Sequence, residues 1–561
     1  MGLGTLLLDR GVLTADQLQQ AIDAQHAAGE RLDRTLVRLG IVRRDQVLEA
    51  LGEQFHMPVV DLATLVVERD TLASVPPRFV FRHSCVPVAL REGVITIATC
   101  DPYDLALADE LRMVTGKAVE LVLADDEEVR TFIRANYGVG GDTLDALAEG
   151  ARLPAEVIEG VDAAELEQAQ EASVVRLVND LLIEAIQERA TDVHVEPYER
   201  ELVVRYRIDG VLQRASVPPT INRFAAAIIS RLKIMANLNI AEKRRPQDGR
   251  ITFRHRPQRG PVQEFDLRVS IIPMLYGEGV VLRVLSKTAA LLPLEQLGMP
   301  EGVLPRWARL IERPHGILLV TGPTGSGKST TLYASLNRIV SDEVKVITVE
   351  DPVEYHVSGV NQIQVNHRVG LDFSSGLRSI LRHDPDVVMI GEIRDKETAE
   401  TAVQASLTGH LVFSTLHTND APGATTRLLD MGVEPFLVSS SLEGVLAQRL
   451  VRRVCSHCAE PITHEPHDFP EGYTPPAGAT YQRGRGCREC RNTGFRGRVG
   501  VYELLECSGA VRDLVMHRAN AQEVTRAAKE EGALSRLIDD GLAKAAKGVT
   551  TLEEVLGALA G

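Results

Sequence analysis

The sequence predicts an α/β protein whose carboxyl-terminal half is built around a parallel sheet. Segment 316–320 (GILLV) has the pattern of a buried strand and leads directly into a glycine-rich loop. From about residue 290 onward, strand patterns alternate with helical patterns, which is typical of strand–helix–strand units. Upstream of this region, a helical repeat and a mixed helix–strand pattern predict smaller domains.

Length and composition favour a multidomain globular protein. The 561 residues allow for about three or four domains. Hydrophobic residues make up 44% of the chain and charged residues 25%, which is enough apolar mass for extensive cores. The formal net charge of −15 disfavours a protein that coats nucleic acid. No stretch approaches the roughly 18 apolar residues of a membrane helix, and the start lacks the basic region of a secretory signal. We therefore expect a cytoplasmic protein.

The first 55 residues contain a repeat with an offset of 29 residues. Each copy has the pattern of two short helices joined by a glycine turn. The equivalent positions are Leu3/Leu32, Leu7/Leu36, Gly11/Gly40, Asp16/Asp45, Gln17/Gln46, Ala21/Ala50 and Gln25/Gln54. From about residue 57, short strand patterns near 94–98 and 119–122 alternate with helical ones. We therefore assign residues 1–138 to an N-terminal domain.

An acidic segment, residues 139–172, separates this domain from the next. It contains nine acidic residues, one basic residue and four glycines, which is the composition of a solvated linker. An amphipathic helix at about Val174–Arg189 then leads into strand patterns near 192–196, 201–208 and 265–271. Residues 173–288 are therefore predicted to form a small α+β domain.

The glycine-rich loop matches the phosphate-binding pattern G-x-x-x-x-G-K-[ST]. A strand precedes it and a helical segment, 332–339, follows it, as the pattern requires. Its glycines allow backbone N–H groups to turn inward at a helix N-terminus. We expect Lys328 to reach the β- and γ-phosphates and the Ser329 hydroxyl to bind Mg²⁺. The loop residues are Gly322, Pro323, Thr324, Gly325, Ser326, Gly327, Lys328, Ser329 and Thr330.

Two carboxylates follow predicted strands of the same domain. The strand pattern at 386–390 is followed by Glu392, a candidate for polarising water or holding Mg²⁺ through water. The pattern at 346–349 is followed by Glu350. Ligands of open α/β sheets lie beyond the carboxyl ends of the strands, so we expect both side chains near one nucleotide. For either carboxylate alone, a solvated loop residue is the alternative.

A fourth strand pattern has a histidine at each end, His410 and His417. Residues seven positions apart point to opposite faces of one extended strand. The two imidazoles can therefore share a site only if the chain bends between them, and the polar pair Ser414 and Thr415 is where a bend is expected. A structural role for each histidine is the alternative.

Four of the seven cysteines form two C-x-x-C pairs, Cys455/Cys458 and Cys487/Cys490. Four thiolates satisfy tetrahedral Zn²⁺ and leave no position open for chemistry. The odd number of cysteines favours a reducing compartment over a disulfide framework. We predict a structural zinc site in an insertion at 455–490. Neighbouring histidines as substitute ligands, or a redox pair, are the alternatives.

Taken together, these segments resemble the type II secretion and type IV pilus assembly ATPase family. Four segments resemble its Walker A, Asp box, Walker B and His box: GPTGSGKSTTLYASL, ITVEDPVEY, LRHDPDVVMIGEIRD and TGHLVFSTLHTNDA. Segments 190–197, 207–212 and 246–250 resemble the domain that precedes them in the family. The resemblance covers about 173–561. It implies an ATP-driven homohexamer, with a RecA-like domain at 289–561 preceded by a PAS-like α+β domain.

The resemblance also implies roles for individual side chains. Glu350 becomes the candidate general base for the attacking water, and Glu392 is expected near Mg²⁺. His410 and His417 are expected to sense the γ-phosphate. Arginines of the small domain are expected to neutralise transition-state charge on that phosphate. The candidates are Arg205, Arg207, Arg268 and Arg283; the family usually carries a further cation where this chain has Gly279.

The N-terminal repeat resembles a family domain that binds cyclic di-GMP through two copies beginning Arg-Leu-Gly. Here Gly2 replaces the arginine of the first copy, and Asp33 replaces the glycine of the second. We therefore favour docking to inner-membrane platform and adaptor proteins, with cyclic di-GMP binding as the alternative.

The predicted function is an ATP-hydrolysing motor, held at the inner membrane by protein partners, that powers assembly of a secretion pseudopilus or a type IV pilus. A retraction or conjugation motor is one alternative, but the retraction branch is typically shorter and lacks the zinc motif. A nucleotide switch without hydrolysis is another, and the joint presence of Lys328, Ser329, Glu350 and Glu392 argues against it. The net charge and the lack of a basic aromatic stripe argue against a helicase.

Overall fold

The computed structural model describes residues 2–28, 30–62, 65, 67–104, 106–138, 163–256, 262–286 and 292–559. The chain divides into two compact units. The first comprises Met1–Phe253 with Asp266–Val284, and the second comprises Arg254–Phe265 with Leu285–Gly561. No helix in the described ranges is both long enough and apolar enough to cross a bilayer.

The first unit begins with two helix pairs that follow the sequence repeat. Their bounds are α1 (Leu3–Asp9), α2 (Ala15–Ala28), α3 (Leu32–Arg38) and α4 (Arg44–Phe55). Gly11 and Gly40 occupy the equivalent turns with φ of 67° and 70°, a conformation that glycine adopts without strain. Leu7 and Leu36, also equivalent in the repeat, are fully buried in one shared core. The repeat therefore encodes two hairpins that pack on each other.

A three-stranded sheet with four helices follows. In it, β2 (Val94–Thr99) lies between antiparallel β1 (Cys85–Arg91) and parallel β3 (Ala118–Leu123). The helices are α5 (Arg69–Ala73), α6 (Pro77–His83), α7 (Leu107–Thr115) and α8 (Asp126–Tyr137).

The predicted acidic linker spans residues 139–172, and its part from 139 to 162 lies outside the described residues. Its last ten residues belong to helix α9 (Ala163–Gln187), which therefore begins eleven residues before the predicted start at Val174. The first turns of α9 are rich in alanine and glutamate, which favour helix but carry no apolar stripe. The hydrophobic pattern therefore revealed only the later part of this helix.

A second, six-stranded sheet, most of whose residues belong to the first unit, has the order β6-β5-β4-β9-β8-β7. The central strand β4 pairs antiparallel with both β5 and β9. The bounds are β4 (Asp192–Pro197), β5 (Leu202–Ile208), β6 (Val211–Arg214), β7 (Gln247–His255), β8 (Gln263–Met274) and β9 (Gly277–Ser286), with helix α10 at Ala225–Met235. The strands predicted near 192, 201 and 265 correspond to β4, β5 and β8.

The second unit is built on an eight-stranded sheet in the order β12-β11-β13-β14-β10-β15-β18-β19. The first six strands run parallel to their neighbours, as predicted, and β18 and β19 continue the sheet antiparallel. The bounds are β10 (Gly316–Thr321), β11 (Val346–Glu350), β12 (Val360–Gln364), β13 (Val387–Ile390), β14 (Leu411–Leu416), β15 (Leu442–Val454), β18 (Phe495–Glu506) and β19 (Leu534–Ser535).

Apolar cores cover both faces of this sheet. Along β10, Ile317 and Leu319 belong to one core, whereas Leu318 and Val320 belong to the other. This alternation is what a strand buried on both faces requires. The helices of the unit are α11 (Leu304–Ile311), α12 (Lys328–Ile339), α13 (Phe373–Ile380), α14 (Lys396–Leu407), α15 (Ala421–Asp430), α16 (Pro435–Ser441), α17 (Gly509–Met516), α18 (Ala521–Glu530), α19 (Leu537–Ala546) and α20 (Leu552–Leu559).

The cysteine-bearing insertion lies between β15 and β18. These two long strands pair antiparallel from Gly444↔Glu506 to Val454↔Phe495. Within the insertion, β16 (Ala459–Pro461) and β17 (Gln482–Gly484) form a short antiparallel pair. The insertion therefore extends from the far end of a β-hairpin that is itself part of the central sheet.

Candidate nucleotide site and metal centre

The glycine-rich loop connects β10 to the first turn of α12. Gly322, Gly325 and Gly327 have φ of 142°, 80° and 89°, values that side-chain-bearing residues rarely adopt. A Cβ atom on Gly322 would also collide with the carbonyl oxygen of Gln448. The loop thus curls back at the N-terminus of α12, where free N–H groups and the helix dipole attract anions.

The Lys328 side chain turns toward its own loop. Its Nζ donates to the carbonyl oxygens of Gly322 and Pro323 at 2.8 and 3.1 Å. Burial lowers the pKa of Lys328, and the nearby Glu392 carboxylate opposes that shift. These neutral carbonyl acceptors are weaker partners for an ammonium group than a charged phosphate oxygen.

Glu392, just beyond the end of β13, is the carboxylate that faces the loop. Arg394 Nη2 lies 2.6 Å from one of its oxygens, and His417 Nε2 lies 3.5 Å from the other. Since Glu392 also interacts with Lys328, the structure brings Lys328, Glu392 and His417 together. The strand ends predict Glu392 and Glu350 near one nucleotide, and the role of His417 is implied by the family resemblance.

Glu350 is placed differently from expectation, because the residue is only 4% exposed. The Tyr333 hydroxyl donates to one of its oxygens. Thr348 Oγ1 and Gln362 Nε2 donate to the other oxygen at 2.5 and 3.1 Å. In this arrangement Glu350 joins the end of β11 to α12. The three donors leave one acceptor site of the carboxylate free, and because the residue is buried, a water molecule would have to enter there before Glu350 could act as a general base.

The structure separates the two histidines and corrects the expectation for His410. β10 and β14 pair in register from Gly316↔Leu411 to Thr321↔Leu416, so His417 lies at the edge where the loop begins. His410 lies at the opposite end of β14, about 23 Å from His417 at 3.3 Å per residue. Its Nδ1 is 2.8 Å from the Ala405 carbonyl oxygen. The strand does not bend, so within one subunit His410 does not reach the loop and instead stabilises the end of α14.

The candidate arginines lie in the first unit, on the six-stranded sheet. Arg205 donates twice to one oxygen of Glu196, at 2.9 and 2.5 Å. Arg207 and Arg283 lie on either side of Asp192, with Nε–carboxylate distances of 3.6 and 3.5 Å. Arg268 lies on β8. Carboxylates of β4 thus hold three of the four candidates in ion pairs.

Three polar side chains near the loop were missed by sequence reasoning: Thr321, Tyr333 and Gln448. Thr321 and Gln448 lie within strands, and Tyr333 lies on the buried side of α12, so each has the pattern of an ordinary core position. Their hydrogen bonds go to residues that are remote in the chain, which periodicity cannot reveal.

The four predicted cysteine ligands converge. The sulfur atoms of Cys455, Cys458, Cys487 and Cys490 all lie within 4.8 Å of one another. The separations are 3.8 Å for Cys455–Cys487, 3.8 Å for Cys458–Cys490 and 3.7 Å for Cys487–Cys490. Sulfurs at about 2.3 Å from a tetrahedral Zn²⁺ would lie about 3.8 Å apart, so the cluster has the size of such a site.

Backbone donors around Cys490 also suit a thiolate. Burial raises the pKa of Cys490, but hydrogen bonds from the N–H groups of Cys487 and Gly494 and from the Cys487 and Cys458 thiols outweigh it and lower the pKa to about 7. These N–H groups lie 3.1 and 3.2 Å from the Cys490 sulfur. Each C-x-x-C pair adjoins one strand of the β15–β18 hairpin, and the Cys455 N–H donates to the Gly494 carbonyl at 2.9 Å. A metal bound here would tie the two strands together.

A phosphate-binding loop after β10, with carboxylates at the ends of parallel strands, defines a RecA-like P-loop ATPase domain. Comparison with known families agrees, because residues 167–557 match the model for type II/IV secretion system proteins. Residues 55–143 match the MshEN domain. The chain therefore belongs to the type II/IV secretion system protein family and is one of its ATPases, of the class that drives secretion or pilus assembly.

Relatives match nearly the whole chain. It is 42% identical to the type IV pilus assembly ATPase PilB of Myxococcus xanthus, over 99% of this chain and 98% of the relative. It is also 42% identical to type II secretion system protein E of Xanthomonas campestris, over 98% of this chain and 97% of the relative. The solved structure of the Legionella pneumophila ATPase DotB matches with a TM-score of 0.50 and 21% identity, over 68% of this chain and 95% of DotB. This structural likeness supports the fold.

Proposed function

We propose that a homohexamer of this chain couples ATP hydrolysis to assembly of a type IV pilus or a type II secretion pseudopilus. The observation that carries the proposal is the convergence of Lys328, Glu392 and His417 beside the phosphate-binding loop. Full-length relatives named for pilus assembly and for secretion support an assembly motor. We favour it over a retraction or conjugation motor, and over a nucleotide switch without hydrolysis.

In the proposed reaction, the loop N–H groups and Lys328 bind the β- and γ-phosphates of ATP. Lys328 exchanges its bonds to two loop carbonyls for bonds to phosphate oxygens. The Ser329 hydroxyl and Glu392 would hold Mg²⁺, which supplies charge neutralisation on the phosphates when bound. His417 adjoins Glu392 and is positioned to respond to the γ-phosphate. Glu350 keeps its role as candidate general base, provided that water reaches the acceptor site that its three donors leave free.

The arginines are proposed to act between subunits of the hexamer. Arg207 and Arg283 share Asp192, so two guanidinium groups flank one carboxylate on one face of the sheet. Such a pair matches the charge that spreads over γ-phosphate oxygens in the transition state. Arg205, paired with Glu196, and Arg268 are the further candidates.

The tetracysteine cluster is proposed to hold one structural Zn²⁺. All four thiolates would be ligands, so no coordination position stays open for a substrate. The metal would stabilise the insertion and join the ends of β15 and β18.

The N-terminal domain is proposed to dock on inner-membrane platform and adaptor proteins, which would place the motor at the membrane. Arg31, the cation at the start of the second repeat, lies 2.8 Å from Asp33 and 2.6 Å from Asp101. Its guanidinium also stacks over the Tyr103 ring at 4.1 Å. A dinucleotide phosphate would have to displace both carboxylates, which disfavours cyclic di-GMP. Isothermal titration calorimetry of the full chain with cyclic di-GMP tests this expectation. A saturable heat of binding with high affinity would contradict it.

Steady-state phosphate release by the purified full-length chain tests the proposed hydrolysis. We expect Lys328→Ala to abolish nucleotide binding and Glu392→Gln to retain binding but lose at least about a hundredfold in turnover. A Glu392→Gln protein that hydrolyses ATP as fast as the parent would remove the catalytic assignment. Light scattering with and without ATP tests the hexamer.

A further inference from the structure

Gln448 is a buried polar residue of β15 that lies directly against the phosphate-binding loop. The residue is 1% exposed. Its Nε2 donates to the carbonyl oxygen of Ser326 at 2.6 Å, and its Oε1 accepts a hydrogen bond from Thr331 Oγ1 at 2.7 Å. One amide therefore joins the loop to the first turns of the helix that follows it.

The bond to Ser326 determines where the next N–H group points. In a planar trans peptide the C=O and the following N–H point in opposite directions. Because Gln448 holds the Ser326 carbonyl on the β15 side, the Gly327 N–H must face away from β15, toward the concave side of the loop. Gly327 has φ of 89°, and a Cβ there would lie 2.9 Å from Gln448 Nε2. The close approach of Gln448 is therefore one reason why this loop position must be glycine.

The Ser326 carbonyl fixes the orientation of the Gln448 amide. A carbonyl oxygen can only accept, so the NH₂ group must face Ser326, whereas a flipped amide would place two acceptors against each other. The Thr331 hydroxyl then donates to Oε1 on the other side. Gln448 is also paired with Tyr502 across the β15–β18 ladder, so its backbone is held by the central sheet. The amide is thus preorganised before any ligand binds.

We propose that Gln448 is a positioning residue for phosphate binding: by holding the Ser326–Gly327 peptide, it aims the Gly327 N–H at the bound nucleotide. The inference rests on the proposed nucleotide site and adds to it a residue outside the loop motif. It predicts a larger effect on nucleotide affinity than on turnover, because the aimed N–H contacts the phosphates in both ground and transition states.

Two substitutions of similar size separate the amide chemistry from packing. Gln448→Met keeps the length of the side chain but removes both hydrogen bonds. Gln448→Glu keeps an acceptor for Thr331, but when ionised it turns an oxygen toward the Ser326 carbonyl. When protonated, the same carboxyl can donate to Ser326 and restore the bond. The matched control is Gln404→Met, at an exposed position of α14.

The experiment measures KM and kcat for ATP, and the dissociation constant of a fluorescent ADP analogue, on full-length proteins from pH 6 to 8.5. We expect Gln448→Met to raise both KM and the dissociation constant about tenfold, as loss of the one hydrogen bond from the Gly327 N–H to phosphate predicts. Its kcat should change less than about threefold. Burial at this position should raise the pKa of an introduced glutamate well above its ordinary value of about 4.3, so for Gln448→Glu we expect a similar loss at pH 8.5 that shrinks as the pH falls. Gln404→Met should match the parent.

The outcomes distinguish the role of Gln448 from the nucleotide site itself. A parent that binds the analogue, together with a Gln448→Met protein of unchanged affinity, overturns the inference alone. A Gln448→Glu deficit that does not depend on pH overturns it as well, and this result stands even if the methionine variant fails to fold. A parent that binds no analogue overturns both the proposed site and the inference.

Discussion

Thr321 and Thr418 join the strand that leads into the phosphate-binding loop to the segment that follows His417. The Thr418 N–H donates to Thr321 Oγ1 at 2.9 Å, and the two hydroxyl oxygens lie 2.8 Å apart. Thr321 immediately precedes Gly322, and Thr418 immediately follows His417. The pair therefore fixes the distance between the two sides of the proposed site, although neither hydroxyl belongs to a phosphate-binding motif.

We expect Thr321→Val to lower kcat about tenfold while nucleotide affinity changes little. Valine has the same shape but leaves the Thr418 N–H without its acceptor, at a cost of about 1–3 kcal/mol. His417 then loses its fixed position, whereas the loop itself is retained. Steady-state kinetics beside ADP-analogue binding measures the two effects separately. Thr474→Val, at an exposed position, is the control. If kcat of Thr321→Val equals that of the parent, the hydrogen bond between Thr321 and Thr418 has only a structural role.

The buried setting of Glu350 leads to a second prediction. If Glu350 acts as general base, Glu350→Gln should lower kcat by about a hundredfold or more, since that is the usual size of such a contribution. Tyr333→Phe removes one donor from the same carboxylate but leaves the base in place, so kcat should stay within about threefold. Single-turnover hydrolysis with saturating enzyme measures the chemical step. Equal rates for Glu350→Gln and the parent would leave Glu350 as a structural acceptor between β11 and α12.

Much of this architecture is local in the sequence and was predictable. The loop motif, the alternating strands and helices, and the paired cysteines each depend on residues within a short segment, so spacing alone identifies them. Glu392 and His417 were also predictable, because parallel strands deliver their carboxyl ends to one edge of the sheet. The same rule, applied strictly, would have excluded His410, which precedes its strand.

Other features depend on tertiary contacts and left no local signal. Gln448 lies more than a hundred residues from Ser326 in the chain, and a lone glutamine in an apolar strand has no distinctive spacing. The donors that surround Glu350 likewise come from a helix and two strands. Burial of such polar groups is tolerated only because each finds a partner, and the partner is known only once the fold is known.

A third prediction concerns pH and the contact between β15 and α20. Arg452 Nη2 lies 2.5 Å from one oxygen of Glu554, and the Arg452 N–H donates to the other at 3.1 Å. Burial raises the pKa of Glu554, but these bonds outweigh it and lower the pKa below its ordinary value, which is about 4.3. A lowered folded-state pKa gives stability that is present above that ordinary value and is lost as the pH falls through the folded-state pKa.

Glu554→Gln should therefore unfold at a lower temperature than the parent at pH 7, and the difference should shrink as the pH falls below about 4.3. Thermal unfolding followed by circular dichroism across this range measures it. Glu553→Gln changes the neighbouring, exposed glutamate and should track the parent at every pH. A gap between Glu554→Gln and the parent that stays constant with pH would contradict the proposed linkage.

The last prediction concerns the tetracysteine cluster. We expect the purified chain to contain one equivalent of zinc, and Cys458→Ser to lose it, because a serine hydroxyl replaces one of four thiolate ligands. Binding requires deprotonated sulfurs, so zinc retention should weaken as the pH falls. Zinc content by elemental analysis and thermal unfolding with and without a chelator measure these effects. Cys100→Ser, outside the cluster, should keep its zinc.

Because the cluster joins the ends of β15 and β18, chelation should destabilise this hairpin first, as amide exchange along Val445–Val454 would show. If the unfolding temperature after complete chelation equals that of the untreated protein, the four sulfurs lie close together without a structural metal.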